Sequence, residues 1–235
     1  MTTTALKPYR DDKGNTITYA GTGGEKVLVK FKGSNNALVV ADTANLGTVH
    51  FDFDCDNGIV RMGGHTTGSF AGYIRIGQDS TVLLGDDVTT TRTVTVTAVE
   101  GQSVTIGDDV MIAIGCQVRS DDAHPIFDVR TGRRVNPSQS VVVGDHVWLG
   151  LNAIVLAGST IGDGSVIGAG AVVTGSIPNN CIAAGTPARV IRRDIAWERP
   201  HLSLNKPYYK PDASTVKKSE YWNETVMEPE LTSAL

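Results

Sequence analysis

The chain has 235 residues, a formal net charge of −4, 26 glycines and only 6% aromatic residues. That length supplies one core of good size, or one core with a small extension. The charge leaves no basic stripe for nucleic acid, and no stretch is apolar for long enough to span a bilayer.

The N-terminal stretch MTTTALKPYR lacks the apolar core of a secretory signal. The three cysteines, Cys55, Cys116 and Cys181, are scattered without metal-type spacing. Both features lead to the expectation of a cytoplasmic protein in a reducing compartment. Residues 1–26 are polar and turn-rich (DDKGN, GTGGE) and predict a cap or arm. From Val27 to about Val99, apolar residues recur at short intervals and read as degenerate coils of a repeat. The phase sharpens at IGDDVM (106–111), IAIGCQ (112–117) and VRSDDA (118–123), with Cys116 at an interior position. The next unit would begin at His124, and there the pattern stops. Residues 124–140, HPIFDVRTGRRVNPSQS, hold two prolines, a Thr-Gly turn and three arginines. A loop of this length leaving a regular repeat is more often functional than decorative.

The repeat restarts at Val143 and runs through six hexads in phase: VGDHVW, LGLNAI, VLAGST, IGDGSV, IGAGAV and VTGSIP. Their first slots are aliphatic and their fifth slots small or aliphatic, a period that neither a helix nor simple alternation explains. Hexads of this kind mark a parallel β-helix solenoid, all-β, in which three short strands make an eighteen-residue coil. Each aliphatic side chain then stacks on its counterpart one coil later: Val143 on Ile161, Leu149 on Ile167, Val155 on Val173. Glycine in the second slot is expected for its tolerance of unusual backbone angles at the corners. The solenoid is predicted over 27–187. Residues 188–235 then carry a short helix over VIRRDIAWERP and a polar tail packed partly along the coil, its last residues disordered.

Several side chains are candidates for chemistry. His124 stands at the break beside Asp121 and Asp122, where a neutral imidazole can take a proton from a hydroxyl; a surface histidine is the alternative. Trp148, in a sixth slot, points outward and must pack under the loop, sit at a subunit interface or line a site. His146, in a fourth slot, reads as a solvated corner. His50, His65 and His201 have no partner at ligand spacing, and no metal site is expected. Arg189 and Arg192 follow the last coil, either as a clamp for phosphates or as a basic helix end. Exposed backbone at the turns, as at Ala169 and Thr174, can hold an extended amide-bearing chain. Arg119, Arg130, Arg133 and Arg134 read as a solvated face, with contact to an anionic glycan as the other reading.

Three stretches carry a family likeness: DDAHPIFDVRTGRRVNP, VVVGDHVWLGLNAIVLAGSTIGDGSVIGAGAVVT and IPNNCIAAGTPARVI. Together they resemble the hexapeptide-repeat acyltransferases, and most of all the O-acetyltransferases of sugars and of capsular or surface polysaccharides. The resemblance implies a left-handed parallel β-helix with an extruded loop, acetyl-CoA as co-substrate, a glycan acceptor, and a homotrimer with sites between neighbouring solenoids. It implies His124 as general base and Trp148 beside the thioester. Leu151, Ala169, Thr174, Gly175, Arg189 and Arg192 would contact coenzyme A, Leu151 and Gly175 through their backbones. Two other readings stay open. One is a small acceptor (a nucleotide sugar, an amino acid or an antibiotic), faced by Asp121, Asp122 or Asp128. The other is a non-catalytic β-helix scaffold.

Overall fold

The computed structural model describes residues 2–3 and 5–226; the predicted disorder of the last tail residues falls outside them. Among the described residues the strands fall into three sheets of eight, nine and six strands. The first runs from Thr2–Thr3 to Val172–Val173, the second from Tyr9–Arg10 to Ser176–Ile177, and the third from Thr89–Thr90 to Arg189–Arg192. Pairing between successive coils is parallel throughout, starting with Thr16–Thr18 on Ala37–Val40, so part of the first 26 residues already belongs to the solenoid.

The stacking read from the hexads is the stacking observed: Val143 registers with Ile161, Leu149 with Ile167 and Val155 with Val173. The first-slot residues from Val143 to Val173 are at most 1% exposed. Burying each such side chain contributes about 1.5–3 kcal/mol. The fifth slots lie inside as well, and the two serines there satisfy their hydroxyls internally. Ser159 Oγ donates to the Val173 carbonyl at 3.1 Å and Ser165 Oγ to the Pro178 carbonyl at 2.7 Å.

The second-slot glycines serve close approach rather than backbone freedom. A Cβ on Gly144 would stand 2.1 Å from Asp163 Oδ1 and 3.0 Å from the Ile161 carbonyl of the next coil. Left-handed backbone falls instead on the fourth slot, at His146 (φ 51°), Asn152 (φ 56°), Gly164 (φ 67°) and Gly170 (φ 69°).

The upstream coils are regular but larger. One corner shows this in a ladder of aspartates, each accepting the backbone N–H of a residue one coil earlier. Asp86 accepts from Gly64, Asp108 from Asp86, Asp145 from Asp108 and Asp163 from Asp145, with separations of 22, 22, 37 and 18 residues. The coil is thus 22 residues long as far as Asp108 and 18 from Asp145 on, which is why the hexad phase is lost upstream of Ile106. The extra residues lengthen the strands: Phe70–Ile76 has seven, whereas its downstream counterpart Ile154–Val155 has two. Phe51, Phe53 and Phe70, fully buried, fill the wider interior.

The helix expected after residue 188 is absent. Arg189–Arg192 is a strand antiparallel to Ile182–Ala184. It covers the open edge of the last parallel strand, whose free backbone groups favour a partner strand over a helix. Among the described residues the one helix is a single 3-10 turn at Leu202–Leu204.

Candidate active site

Trp148 projects from the third sheet in a row with Met111, Val166, Ile182 and Arg192, each registered on the next. It is 38% exposed. Trp148, Val166, Ile182, Arg192 and Trp197 line a groove of about 420 Å³. The Trp148 and Trp197 rings lie 5.9 Å apart, tilted by 46°.

Trp197 is held there by His146. This histidine sits at a corner, as its slot implied, but it is 2% exposed and not solvated. The tail covers it. Its ring is stacked between Trp197 at 4.1 Å and Tyr221 at 4.6 Å. Nδ1 lies 2.5 Å from Asp109 Oδ2, and Nε2 lies 3.0 Å from the Trp197 carbonyl. Both partners can only accept, so both ring nitrogens carry hydrogen and the ring is an imidazolium. Burial opposes that charge, but the Asp109 carboxylate and the Trp197 carbonyl outweigh it and raise the pKa above 6.5. Burial likewise pushes the Asp109 carboxyl up, and hydrogen bonds from His146 and Arg199 overcome it, leaving its pKa below 3.8. Arg199 donates to Asp109, to Thr89 Oγ1 at 2.7 Å and to the Asp87 carbonyl at 2.9 Å. Further along, Asn180 Nδ2 donates to the Ile195 and Tyr221 carbonyls, at 2.9 and 2.6 Å. The sequence reading missed this assembly. Its signals were Trp197 in a polar tail and a His in a slot otherwise filled by Gly, Asn or Ser.

A second groove, of about 390 Å³, is lined by Thr174, Gly175, Ser176, Ala188, Arg189 and Val190. The strand Arg189–Arg192 joins the two grooves, with Arg189 in one and Arg192 in the other. Leu151 and Ala169 occupy the same corner in consecutive coils and are exposed; the Gly170 N–H donates to the Leu151 carbonyl at 2.7 Å. Cys116 is buried, its thiol 3.0 Å from the Gly150 carbonyl, and burial raises its pKa.

The loop is a built hairpin. The Val135 N–H donates to the Ile126 carbonyl at 2.9 Å and the Asp128 N–H to the Arg133 carbonyl at 2.8 Å. The Asp128 carboxylate caps the turn through the Arg130 and Thr131 N–H groups. Arg134 departs from the solvated face expected of the loop arginines: it pairs with Glu100 at 2.5 Å. With the Ser138 hydroxyl, it draws the Glu100 pKa down to about 2. At the loop base Asn136 Nδ2 donates to the His124 carbonyl at 2.9 Å and to Asp122 Oδ2 at 3.0 Å. Asp121 is buried and accepts from Thr97 Oγ1 at 2.7 Å. The backbone of His124 is therefore held while its side chain is exposed. His124 follows a first-sheet strand, whereas Trp148 is in the third sheet. Among the described residues no hydrogen bond, ring contact or shared groove joins them.

Comparison with known proteins agrees with this geometry. The family described as "Bacterial transferase hexapeptide (six repeats)" matches residues 140–175. The polysialic acid O-acetyltransferase of Escherichia coli O1:K1 / APEC is 37% identical over 124 residues, 53% of this chain and 38% of that protein. The galactoside O-acetyltransferase of Escherichia coli K12 is 44% identical over 96 residues, 41% of this chain and 47% of that one. The chain thus spans less than half the length of these two relatives. Among solved structures, the polySia-specific acetyltransferase NeuO superposes with a TM-score of 0.69 at 31% identity, covering 84% of this chain and 96% of that one. The coils, the extruded loop and these matches together place the chain, a left-handed parallel β-helix, in the hexapeptide-repeat acyltransferase family.

Proposed function

We propose that the protein transfers acetyl from acetyl-CoA to a hydroxyl of a sugar in a capsular or surface polysaccharide. One observation carries the reading: a single strand sets Arg189 in the groove of Thr174 and Gly175 and Arg192 in the groove of Trp148. An extended cofactor lying along it would meet a guanidinium for its phosphates at one end and an exposed indole at the other. Leu151 and Ala169 offer corner backbone beside that path. The O-acetyltransferase names of the relatives support the reaction class.

His124 is the general base. It takes the proton of the sugar hydroxyl as that oxygen attacks the thioester carbonyl; the C–S bond breaks, and the thiolate recovers the proton. Holding both substrates in one groove supplies much of the rate. His124 and Trp148 come from different sheets, so the reading requires that neighbouring copies complete each site, as in a homotrimer. Ile126, Phe127, Val129 and Val135 are each more than half exposed on the hairpin and suit burial against a neighbour. A cytoplasmic setting, where acetyl-CoA is made, fits the same reading.

The test is thiol release from acetyl-CoA with neutral and anionic polysaccharides, wild type beside His124→Ala. Glycan-dependent release should fall about a hundredfold or more in the variant, with acetyl-CoA binding retained. Near-normal turnover would remove His124 from the chemistry. Release with small acceptors alone would replace the polysaccharide, and no binding of acetyl-CoA would leave a scaffold.

A further inference from the structure

Beyond Trp197 the C-terminal segment encloses a cavity of about 440 Å³ that the transfer reading leaves unused. We propose that this cavity is the subsite for an acidic sugar of the acceptor glycan. Its walls include Trp197, Leu202, Lys206, Lys210, Lys217 and Trp222. Ala196 and Trp197 also line the Trp148 groove, so the two spaces adjoin. The volume lies within the range of about 300–1,000 Å³ usual for small-ligand sites.

The charge in the cavity is available to a ligand. Lys217 makes no hydrogen bond or ion pair among the described residues, and Lys206 only overlies the Tyr208 ring at 5.9 Å. Lys210 Nζ donates to the Asn205 and Pro207 carbonyls, at 2.9 and 2.8 Å, which leaves one N–H free. The two acids on the wall are engaged. Glu198 Oε1 accepts from the Ser219 N–H and the Trp222 indole, both at 2.7 Å, and Asp212 Oδ1 accepts from the Ser214 N–H at 2.8 Å. The cavity therefore has both ammonium groups and indole rings on its walls. A carboxylated pyranose matches both: its C–H faces pack on aromatic planes and its carboxylate meets a lysine. The phosphates of coenzyme A are the weaker match, because Arg189, Thr174 and Gly175 line a separate groove.

This inference rests on the transfer reading for its place in the reaction, but it is tested without turnover. The three tryptophans, Trp148, Trp197 and Trp222, all line the groove or the cavity, so intrinsic fluorescence reports on binding. The probes are an α2,8-linked sialic acid tetramer, neutral maltotetraose and acetyl-CoA, titrated separately. The proteins are wild type, Lys206→Gln/Lys217→Gln and Trp222→Phe. Both lysines are exposed and outside any ion pair, so the double variant keeps the fold. The acidic tetramer should bind wild type at least about tenfold more tightly than maltotetraose, and lose about tenfold in the double variant. Trp222→Phe should weaken the tetramer too, and acetyl-CoA affinity should stay constant across all three proteins. Equal tetramer affinity in wild type and double variant overturns the proposal, as does neutral binding as tight as acidic. A loss confined to acetyl-CoA assigns the cavity to the cofactor and overturns it as well. Failure of wild type to bind acetyl-CoA, with tetramer binding intact and lysine-dependent, overturns the transfer reading and leaves the cavity as a glycan site.

Discussion

Replacing His146 with Ala should release the C-terminal segment while leaving the coils folded. The imidazolium makes two charge-assisted hydrogen bonds and stacks on two rings. Breaking a buried ion pair costs about 3–5 kcal/mol, but Arg199 remains to neutralise Asp109. Each lost ring contact adds about 0.5–1.5 kcal/mol. The net cost to tail docking is then about 2–4 kcal/mol, or roughly 30- to 1,000-fold in the opening equilibrium. Hydrogen exchange of single amides measures it. The Ile195 and Thr225 amides, bonded to the Asn180 carbonyl and to Asp194 Oδ1, should exchange faster by that factor. The Gly144 and Gly168 amides, bonded between coils, should not change. His146→Asn, a residue that suits the same backbone as Asn152 does, should lose nearly as much, because it lacks the cation. Unchanged tail protection in His146→Ala would refute the assignment; equal loss in tail and coil would show that the histidine holds the solenoid instead.

The same pair sets a pH dependence. The raised pKa of His146 makes its contribution complete below 6.5 and lost as pH rises through the folded value. The lowered pKa of Asp109 makes its contribution complete above 3.8 and lost as pH falls through the folded value. Tail docking should therefore be firmest between those limits and loosen on the alkaline side, read as a change in tryptophan emission that His146→Asn abolishes. Replacing Arg189 and Arg192 with Ala should raise the acetyl-CoA KM by about tenfold or more and move the glycan KM far less; an unchanged value places the cofactor elsewhere. Ile167→Ala, at a fully buried stacking position, should cost about 2–5 kcal/mol in chemical unfolding. Gly144→Ala should also destabilise, since the new methyl would meet Asp163 Oδ1 and the next coil's backbone; wild-type stability there would contradict the close-approach account.

The downstream coils were legible because their chemistry is local and periodic. An aliphatic residue every six positions has one way to bury itself, on its counterpart a coil later, and Val143, Leu149 and Val155 do so in the predicted register. The upstream coils hid the same architecture behind longer strands, which removed the hexad phase without removing the aspartate ladder that registers them. The candidate site was legible only as residues that break the pattern. His124 marks where the repeat stops, and Trp148 is an indole in an outward slot.

From the order of its residues alone, then, the chain determined a parallel solenoid, the register of its core and the exit point of its loop, since each follows from burial at a short repeat. Tertiary structure decided the rest. It buried His146 as a cation beneath Trp197 and Tyr221, turned Arg189–Arg192 into an edge-covering strand, and walled the space beyond Trp148 with the tail. These arrangements join residues such as Asp109 and Arg199, 90 positions apart. Their contacts exist only once the coils are stacked, and no local period encodes them.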